Sequence, residues 1–315
     1  MCDSTAIAGV IGHPDPCVQY PARPGYTLSL AEEFEQPIDL DNDANWTWSD
    51  GGLAEGQVRF IKNQISFSGG NMVITAIKES QPAGMSYAEN GTVSSEPISS
   101  GEFRTKYNNY RYGWYEARYR PPTSNGNFVS TLFLFRTPKV NGWREIDNEL
   151  TADELNLLGT NVYWENVPGN YDCHFADQLD VPISVANVQA DFHTYAIEWT
   201  PTAIKWYVDD MTHPVRTKTA ANIVTNCGNA PFTVAIPELA TKILMNLWVF
   251  GSSMYGGDPT KNTYPMTATY DYVRFYKANT GESTYPCSPT PGCIAHSDII
   301  LSKNNPDDGV PNNPN

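Results

Sequence analysis

Trp143-Arg144-Glu145-Ile146-Asp147-Asn148-Glu149-Leu150 places three carboxylates at alternate positions. The alternation predicts a β-strand, because residues two apart on a strand point to one face. Glu145, Asp147 and Glu149 then form a single acidic stripe. Arg144, Ile146, Asn148 and Leu150 fall on the opposite face, and the two apolar residues mark that face as the core side. Arg144 and Asn148 therefore need partners there, since an unpaired buried polar group costs about 1–3 kcal/mol. Like charges in a row repel, and a proton retained on one acid relieves the strain. An exposed acidic face and a hard-cation site are the plain structural readings of such a stripe. Glycosidic bond cleavage is the chemical one, because it needs one ionised and one protonated carboxyl across a sugar bond. Positions i and i+4 of an ideal strand lie about 13 Å apart. A retaining carboxyl pair stands about 5–5.5 Å apart. Strand twist and inward-leaning glutamates must close that gap.

Outward from the stripe, short apolar or alternating runs follow one another between turn signals. They include Gln64–Phe67, Met72–Ile77, Gly113–Arg120, Phe128–Phe135, Thr194–Trp199, Ile204–Val208, Lys242–Val249 and Thr269–Tyr276. Ser68-Gly69-Gly70-Asn71 and Val208-Asp209-Asp210 separate neighbours as hairpin turns do. Trp199–Trp206 reads as a hairpin around Pro201-Thr202-Ala203. Helical periodicity is confined to short turns at Val185–Val188 and Ala220–Val224. Many short strands without a repeat predict an all-β sandwich or jelly roll. Residues 1–25 read as a disulfide-stapled N-terminal loop segment, 26–277 as one domain, and 278–315 as a Pro/Asn-rich C-terminal tail.

Charged residues make up 17% of the chain and aromatics 12%, with 8 Trp and 18 Tyr, a balance that suits a secreted β protein handling sugars. The net charge of −15 argues against a nucleic-acid partner. Arg104, Lys106, Arg111, Arg118 and Arg120 are close in sequence and would favour a sulfated glycan if they met in a cleft. No stretch approaches the length of a membrane span. No apolar run follows a basic start, so Met1 is expected to stand in for a removed leader. Six cysteines without a CxxC pair imply an oxidising compartment and no zinc site. Cys2–Cys17 and Cys287–Cys293 read as local staples, leaving Cys173–Cys227, with other pairings open.

Glu145-Ile146-Asp147-Asn148-Glu149 resembles the Glu-x-Asp-x-Glu signature of glycoside hydrolase family 16, in its regular-strand branch of lichenases and transglycosylases. Further landmarks follow in family order: Tyr26–Phe34, Ser100–Arg104, Tyr112–Glu116, Phe192–Trp199 with Ile204–Asp209, Met245–Trp248 and Tyr270–Val273. The resemblance implies a β-jelly-roll sandwich of two curved antiparallel sheets, concanavalin A-like, with 26–277 as the catalytic domain. It implies retention of configuration, with Glu145 as nucleophile, Glu149 as general acid/base and Asp147 as the assisting residue. It carries sugar contacts to Glu102, Arg104, Phe135, Trp143, Asn161, Tyr163, Asn246 and Trp248. Phe135 stands where lichenases often have Tyr. No cofactor for catalysis is implied, but a structural calcium is, held by Asp271 with the Gly70 carbonyl. Arg144, in place of an acid, and Asn148, in place of an apolar residue, depart from the family pattern.

The expected protein is thus a secreted, monomeric endo-β-glucanase acting on a polysaccharide, foremost mixed-linkage β-1,3-1,4-glucan, by double displacement. A transglycosylase on cell-wall β-glycans and a hydrolase of β-1,3-glucan or galactan are the rival enzymes. A lectin on the same sandwich is the rival without catalysis.

Overall fold

The computed structural model describes residues 7–51, 58–80, 85–87, 93–95, 98–124, 126–136, 143–165, 174–185, 187–219, 224–227, 230–233, 236–249 and 257–279. Its strands run in the order β1 (Ile11–His13), β2 (Tyr26–Glu32), β3 (Trp46–Trp48), β4 (Val58–Phe60), β5 (Ile65–Ser68), β6 (Asn71–Lys78), β7 (Met85–Tyr87), β8 (Val93–Ser95), β9 (Ile98–Ser100), β10 (Glu102–Thr105), β11 (Gly113–Arg120) and β12 (Val129–Phe135). They continue as β13 (Arg144–Thr151), β14 (Leu157–Glu165), β15 (His174–Ala176), β16 (Leu179–Pro182), β17 (His193–Trp199), β18 (Ala203–Val208), β19 (Arg216–Thr219), β20 (Val224–Cys227), β21 (Ala230–Thr233), β22 (Lys242–Trp248) and β23 (Met266–Ala278). The runs read from sequence are strands. The helical turns expected at 185–188 and 220–224 involve residues outside the described set.

The first sheet has the order β15-β14-β13-β12-β22-β10-β3, with β16 beside β14. The second has the order β19-β18-β17-β11-β23-β6-β9-β4, with β5 beside β6, β2 beside β23 and β1 beside β2. Pairing is antiparallel except at the short β1–β2 and β4–β9 contacts. Late strands lie between early ones, as β22 does between β12 and β10, and this winding is the jelly roll. The β5–β6 turn needs Gly69 and Gly70, whose φ values are +59° and +72°. Left-handed φ at two successive positions matches the twist of a tight hairpin.

The sandwich core is made by alternation on both sheets. Ile146, Leu150, Leu132 and Leu134 face Tyr115, Tyr119, Tyr195 and Trp206, all fully buried. Tyr119 lies between Tyr195 and Tyr270, with ring centroids 4.5 and 4.9 Å away. Polar ties cross between the sheets, among them Arg216 Nη1 of β19 to the Thr160 carbonyl of β14 at 3.0 Å. Trp206 Nε1 donates to the Asp147 carbonyl at 2.8 Å, and Tyr270 Oη donates to the Thr131 carbonyl at 2.8 Å. Each holds the first sheet from behind while serving a buried donor that would otherwise be unpaired.

The outer side of the second sheet carries a smaller aromatic cluster of Trp114, Tyr207 and Tyr276. The N-terminal segment lies on it. Arg23 pairs with buried Glu116 at 2.5 Å and covers the Trp114 ring at 4.9 Å. His13 bonds Glu32 at 2.7 Å. Cys17 is disulfide-bonded. The other expected half-cystines either lie outside the described residues or, for Cys227, have no described side chain. Tyr26 pairs with Ala278, and Asn279 N donates to the Gly25 carbonyl at 2.9 Å.

Glu33 and Arg274 form a two-pronged bond of 2.8 and 2.7 Å, each side chain only 6% exposed. Removing one partner of a buried pair strands the other charge. Glu33→Ala should therefore lower unfolding free energy by about 3–5 kcal/mol, measured by urea denaturation.

Candidate active site

Register gathers the candidate residues on one face of the first sheet. Glu145 stands between Phe135 and Tyr163, Asp147 between Phe133 and Asn161, and Glu149 between Thr131 and Gly159. Glu102 stands beside Asn246, two strands further on. Paired residues of an antiparallel ladder share a face. Every expected sugar-contact position except Trp143 is therefore placed by four continuous ladders. Trp143 joins them from one residue before β13, stacked on Tyr163 at 4.7 Å and 13°. Trp248 is opposite Val129 and packs into the buried cluster, at the far end of β22 from the nucleophile candidate.

The stripe is unevenly buried. Glu145 and Glu149 are half-buried, whereas Asp147 is buried. Burial pushes the Asp147 carboxyl well above the usual range, aided by the charges of Glu145 and Glu149 and by a hydrogen bond to Glu145. Asp147 therefore keeps its proton, which relieves the repulsion that the sequence implied. Trp143 Nε1 donates to Glu145 Oε2 at 2.5 Å. Burial, with the neighbouring acids, also raises the Tyr163 phenol, so it stays a neutral donor.

Two further groups frame the acids. One is an aromatic wall, Phe133–Phe135–Trp143–Tyr163, with successive centroids 6.5, 6.5 and 4.7 Å apart. The other is a polar chain. Ser49 Oγ donates to Glu102 Oε1 at 2.6 Å, Asn246 Nδ2 to Glu102 Oε2 at 2.9 Å, and Thr131 Oγ1 to Asn246 Oδ1 at 2.7 Å. Arg104 Nε donates to Ser49 Oγ at 2.8 Å. Phe133, Thr131 and Ser49 were not among the sequence candidates. Phe133 was within reach, two residues before Phe135 on the same strand face. Ser49 was not, because it comes from a different part of the chain. Gly159, opposite Glu149, was also missed; a Cβ there would stand in ordinary contact with Glu149 Cβ and carbonyl, both at 3.4 Å.

Behind the stripe, Arg144 has its partner. Its Nε and Nη2 bond the Glu238 carboxylate at 3.1 and 2.8 Å, and its guanidinium lies 4.8 Å over the Trp164 ring. Asn148 is fully buried, and neither end of its amide has a hydrogen-bond partner. The partner expected for Asn148 is thus missing, and Tyr119 and Tyr195 hydroxyls share that condition.

The five neighbouring cations do not meet in the cleft. Of them, Arg104 is on the acidic face. Lys106 bonds the Asp43 carbonyl, Arg111 donates to the Glu238 carbonyl, and Arg118 and Arg120 lie over Phe192. Asp271 and Gly70 belong to the second sheet. Asp271 is the extra residue where the β11–β23 register slips, beside the β5–β6 turn. Its carboxylate accepts from Arg118 Nη1 at 2.5 Å. A Cβ at Gly70 would stand 3.2 Å from Glu35 Oε1. Oxygen donors of the kind calcium takes are thus close by. A cation would have to displace Arg118 from Asp271. Among the described residues no group of three or more His, Cys, Asp or Glu converges on a metal position.

A jelly roll with three carboxyls on one strand face is the architecture of a polysaccharide-cleaving class. The sequence model of glycosyl hydrolases family 16 matches residues 43–274, and the chain belongs to that family. It is 32% identical over 230 residues to a beta-glucanase of Acetivibrio thermocellus, covering 72% of this chain and 57% of that protein. It thus spans little more than half the length of that relative. It is 30% identical to the beta-glucanase of Bacillus amyloliquefaciens, over 80% of this chain and 92% of that one. A solved beta-1,3-1,4-glucanase (lichenase) from a mouse hindgut metagenome superposes with a TM-score of 0.57 at 26% identity, over 78% and 97% of the two chains.

A raised folded-state pKa favours the protonated form, so its stabilisation is present below the unfolded pKa and lost as pH rises through the folded value. At neutral pH, keeping Asp147 protonated costs the fold free energy that an amide does not. Asp147→Asn should raise the melting temperature at about pH 7, and the gain should vanish at about pH 3, where both states of the acid are neutral. Calorimetry at the two pH values checks this.

Proposed function

We propose that the protein is a secreted, monomeric, retaining endo-β-glucanase whose foremost substrate is mixed-linkage β-1,3-1,4-glucan. The acidic stripe carries the reading: three carboxyls of different burial on one strand face, the middle one protonated, with an indole N–H on the first. The relatives named beta-glucanase and the lichenase similarity support the substrate class.

In this reading Glu145 attacks the anomeric carbon from the face opposite the leaving group. Glu149, the other half-buried acid, protonates the glycosidic oxygen. Protonated Asp147 donates to Glu145 and spares the site a second negative charge while Glu149 holds its proton. Trp143 N–H fixes the oxygen that does not attack. A glycosyl-enzyme ester forms on Glu145, and water activated by ionised Glu149 releases the sugar with its configuration retained. Phe135, Trp143 and Tyr163 offer ring faces and edges to the sugars beside Glu145. Glu102, Arg104, Asn161 and Asn246 offer polar contacts along the face. Trp248 is a contact at the margin. Of the basic group Arg104–Arg120 the acidic face receives Arg104, already bonded to Ser49, so that group builds no patch for a sulfated glycan, and the reading favours a neutral one.

Calcium, if bound at Asp271 and Gly70, supports the second sheet and takes no part in the chemistry. Among the described residues no helix is long and apolar enough to cross a membrane. The disulfide-bonded Cys17 accords with an extracellular site of action.

Incubation with a polysaccharide panel and linkage analysis of the products tests the substrate. Short mixed-linkage oligosaccharides are expected; products longer than the substrate would instead establish transglycosylation. Glu145→Gln should lower kcat by roughly 10³-fold or more. Azide should rescue Glu145→Ala and give a glycosyl azide of inverted configuration. No rescue, with an active wild type, would remove Glu145 from the nucleophile's role.

A further inference from the structure

Residues 236–241 form a strap leading into β22, and side chains from several strands hold it. Trp199 Nε1 donates to the Pro237 carbonyl at 3.0 Å, Arg136 Nη1 to the Ala240 carbonyl at 2.7 Å, and Thr241 bridges to Tyr110. The Glu238 carboxylate receives Arg144 through Nε and Nη2, and Trp164 Nε1 at 3.3 Å. The Arg144 side chain is 5% exposed and that of Glu238 44%. Arg144 is thus a buried cation whose counter-charge is on a strap, not on its own sheet.

The third arm of Arg144 matters most. Its Nη1 donates to the Trp143 carbonyl at 2.9 Å. The β13–β14 ladder begins at Arg144, so Trp143 stands one residue outside it. Its position is fixed by side-chain contacts: the guanidinium on its carbonyl and Tyr163 beneath its ring. From there it delivers its N–H to Glu145. A planar fork spends two donors on Glu238 and one on Trp143, an arrangement lysine cannot copy.

We propose that Glu238 is a positioning residue for the reaction. Acting through Arg144, it fixes Trp143 from the core side, and Trp143 holds the Glu145 carboxylate in the orientation for attack. The inference rests on Glu145 being the nucleophile. It gives the departure of Arg144 from the family pattern a purpose: the charge behind the strand is an anchor for the group in front.

A double-mutant cycle tests it, because residues acting through one another are non-additive. Glu238→Gln, Trp143→Phe and the double variant are compared with wild type on mixed-linkage glucan, with kcat, KM and melting temperature recorded. Glu238→Gln should lower kcat by about tenfold with KM within about twofold, the mark of an interaction used in the transition state. Combined with Trp143→Phe, it should cost nothing beyond Trp143→Phe alone. Arg144→Lys should reproduce Glu238→Gln and take its place in the cycle if that variant fails to fold. Additive losses, or an unchanged kcat with only a lower melting temperature, would reduce Glu238 to a purely structural role and overturn the proposal. A wild type that releases no reducing ends would overturn the glucanase reading instead. Failed azide rescue of Glu145→Ala alongside an active wild type would overturn the nucleophile assignment separately.

Discussion

Strand β13 must satisfy two environments with one backbone. Its period of two sends Ile146 and Leu150 into the sandwich and Glu145, Asp147 and Glu149 into the cleft. A slip of one residue would bury the acids and expose the core. Everything that fixes the register of β13 therefore also fixes the chemistry. The ladders to β12 and β14 do so along its length. Trp206, bonding the Asp147 carbonyl, does so at the point where an error would cost most.

The same constraint explains the asymmetry among the acids. A strand inside a sheet cannot bend each side chain to its own surroundings. All three acids have ladder partners on both sides, but Asp147, with the shorter side chain in the middle of the row, is the buried one. Glu145 and Glu149, with longer side chains nearer the ends, keep partial access to solvent. Burial thus sets the middle carboxyl apart from its neighbours and favours its protonated form.

Much of this could be read from the chain because period-two patterns are local. Gly113–Arg120 was legible to the residue, and Ser68–Asn71 as a turn, since each rests on neighbours in sequence. The stripe itself was legible for the same reason. What the chain concealed was long-range. Ser49 reaches Glu102 across 53 residues and Glu238 reaches Arg144 across 94. No local pattern announces a partner that distant. Arg144 and Asn148 were recognisable as problems, each a polar residue on a buried face. Their outcomes differ: Arg144 found a carboxylate on the strap, and Asn148 keeps an unpartnered amide among the tyrosines. The Arg104–Arg120 group shows the converse hazard. Closeness in sequence did not gather the five on the acidic face, because a strand alternates and a turn changes sheets.

Tyr26 beside Ala278, with Asn279 bonded back to Gly25, brings the two ends of the sandwich together on the second sheet. The backbone between them is nearly a closed ring. In such a ring the position of the opening is topologically arbitrary. New ends could be cut at a surface turn and the old ones joined with little rearrangement of the core. The junction lies on the second sheet, not on the one that carries the acids.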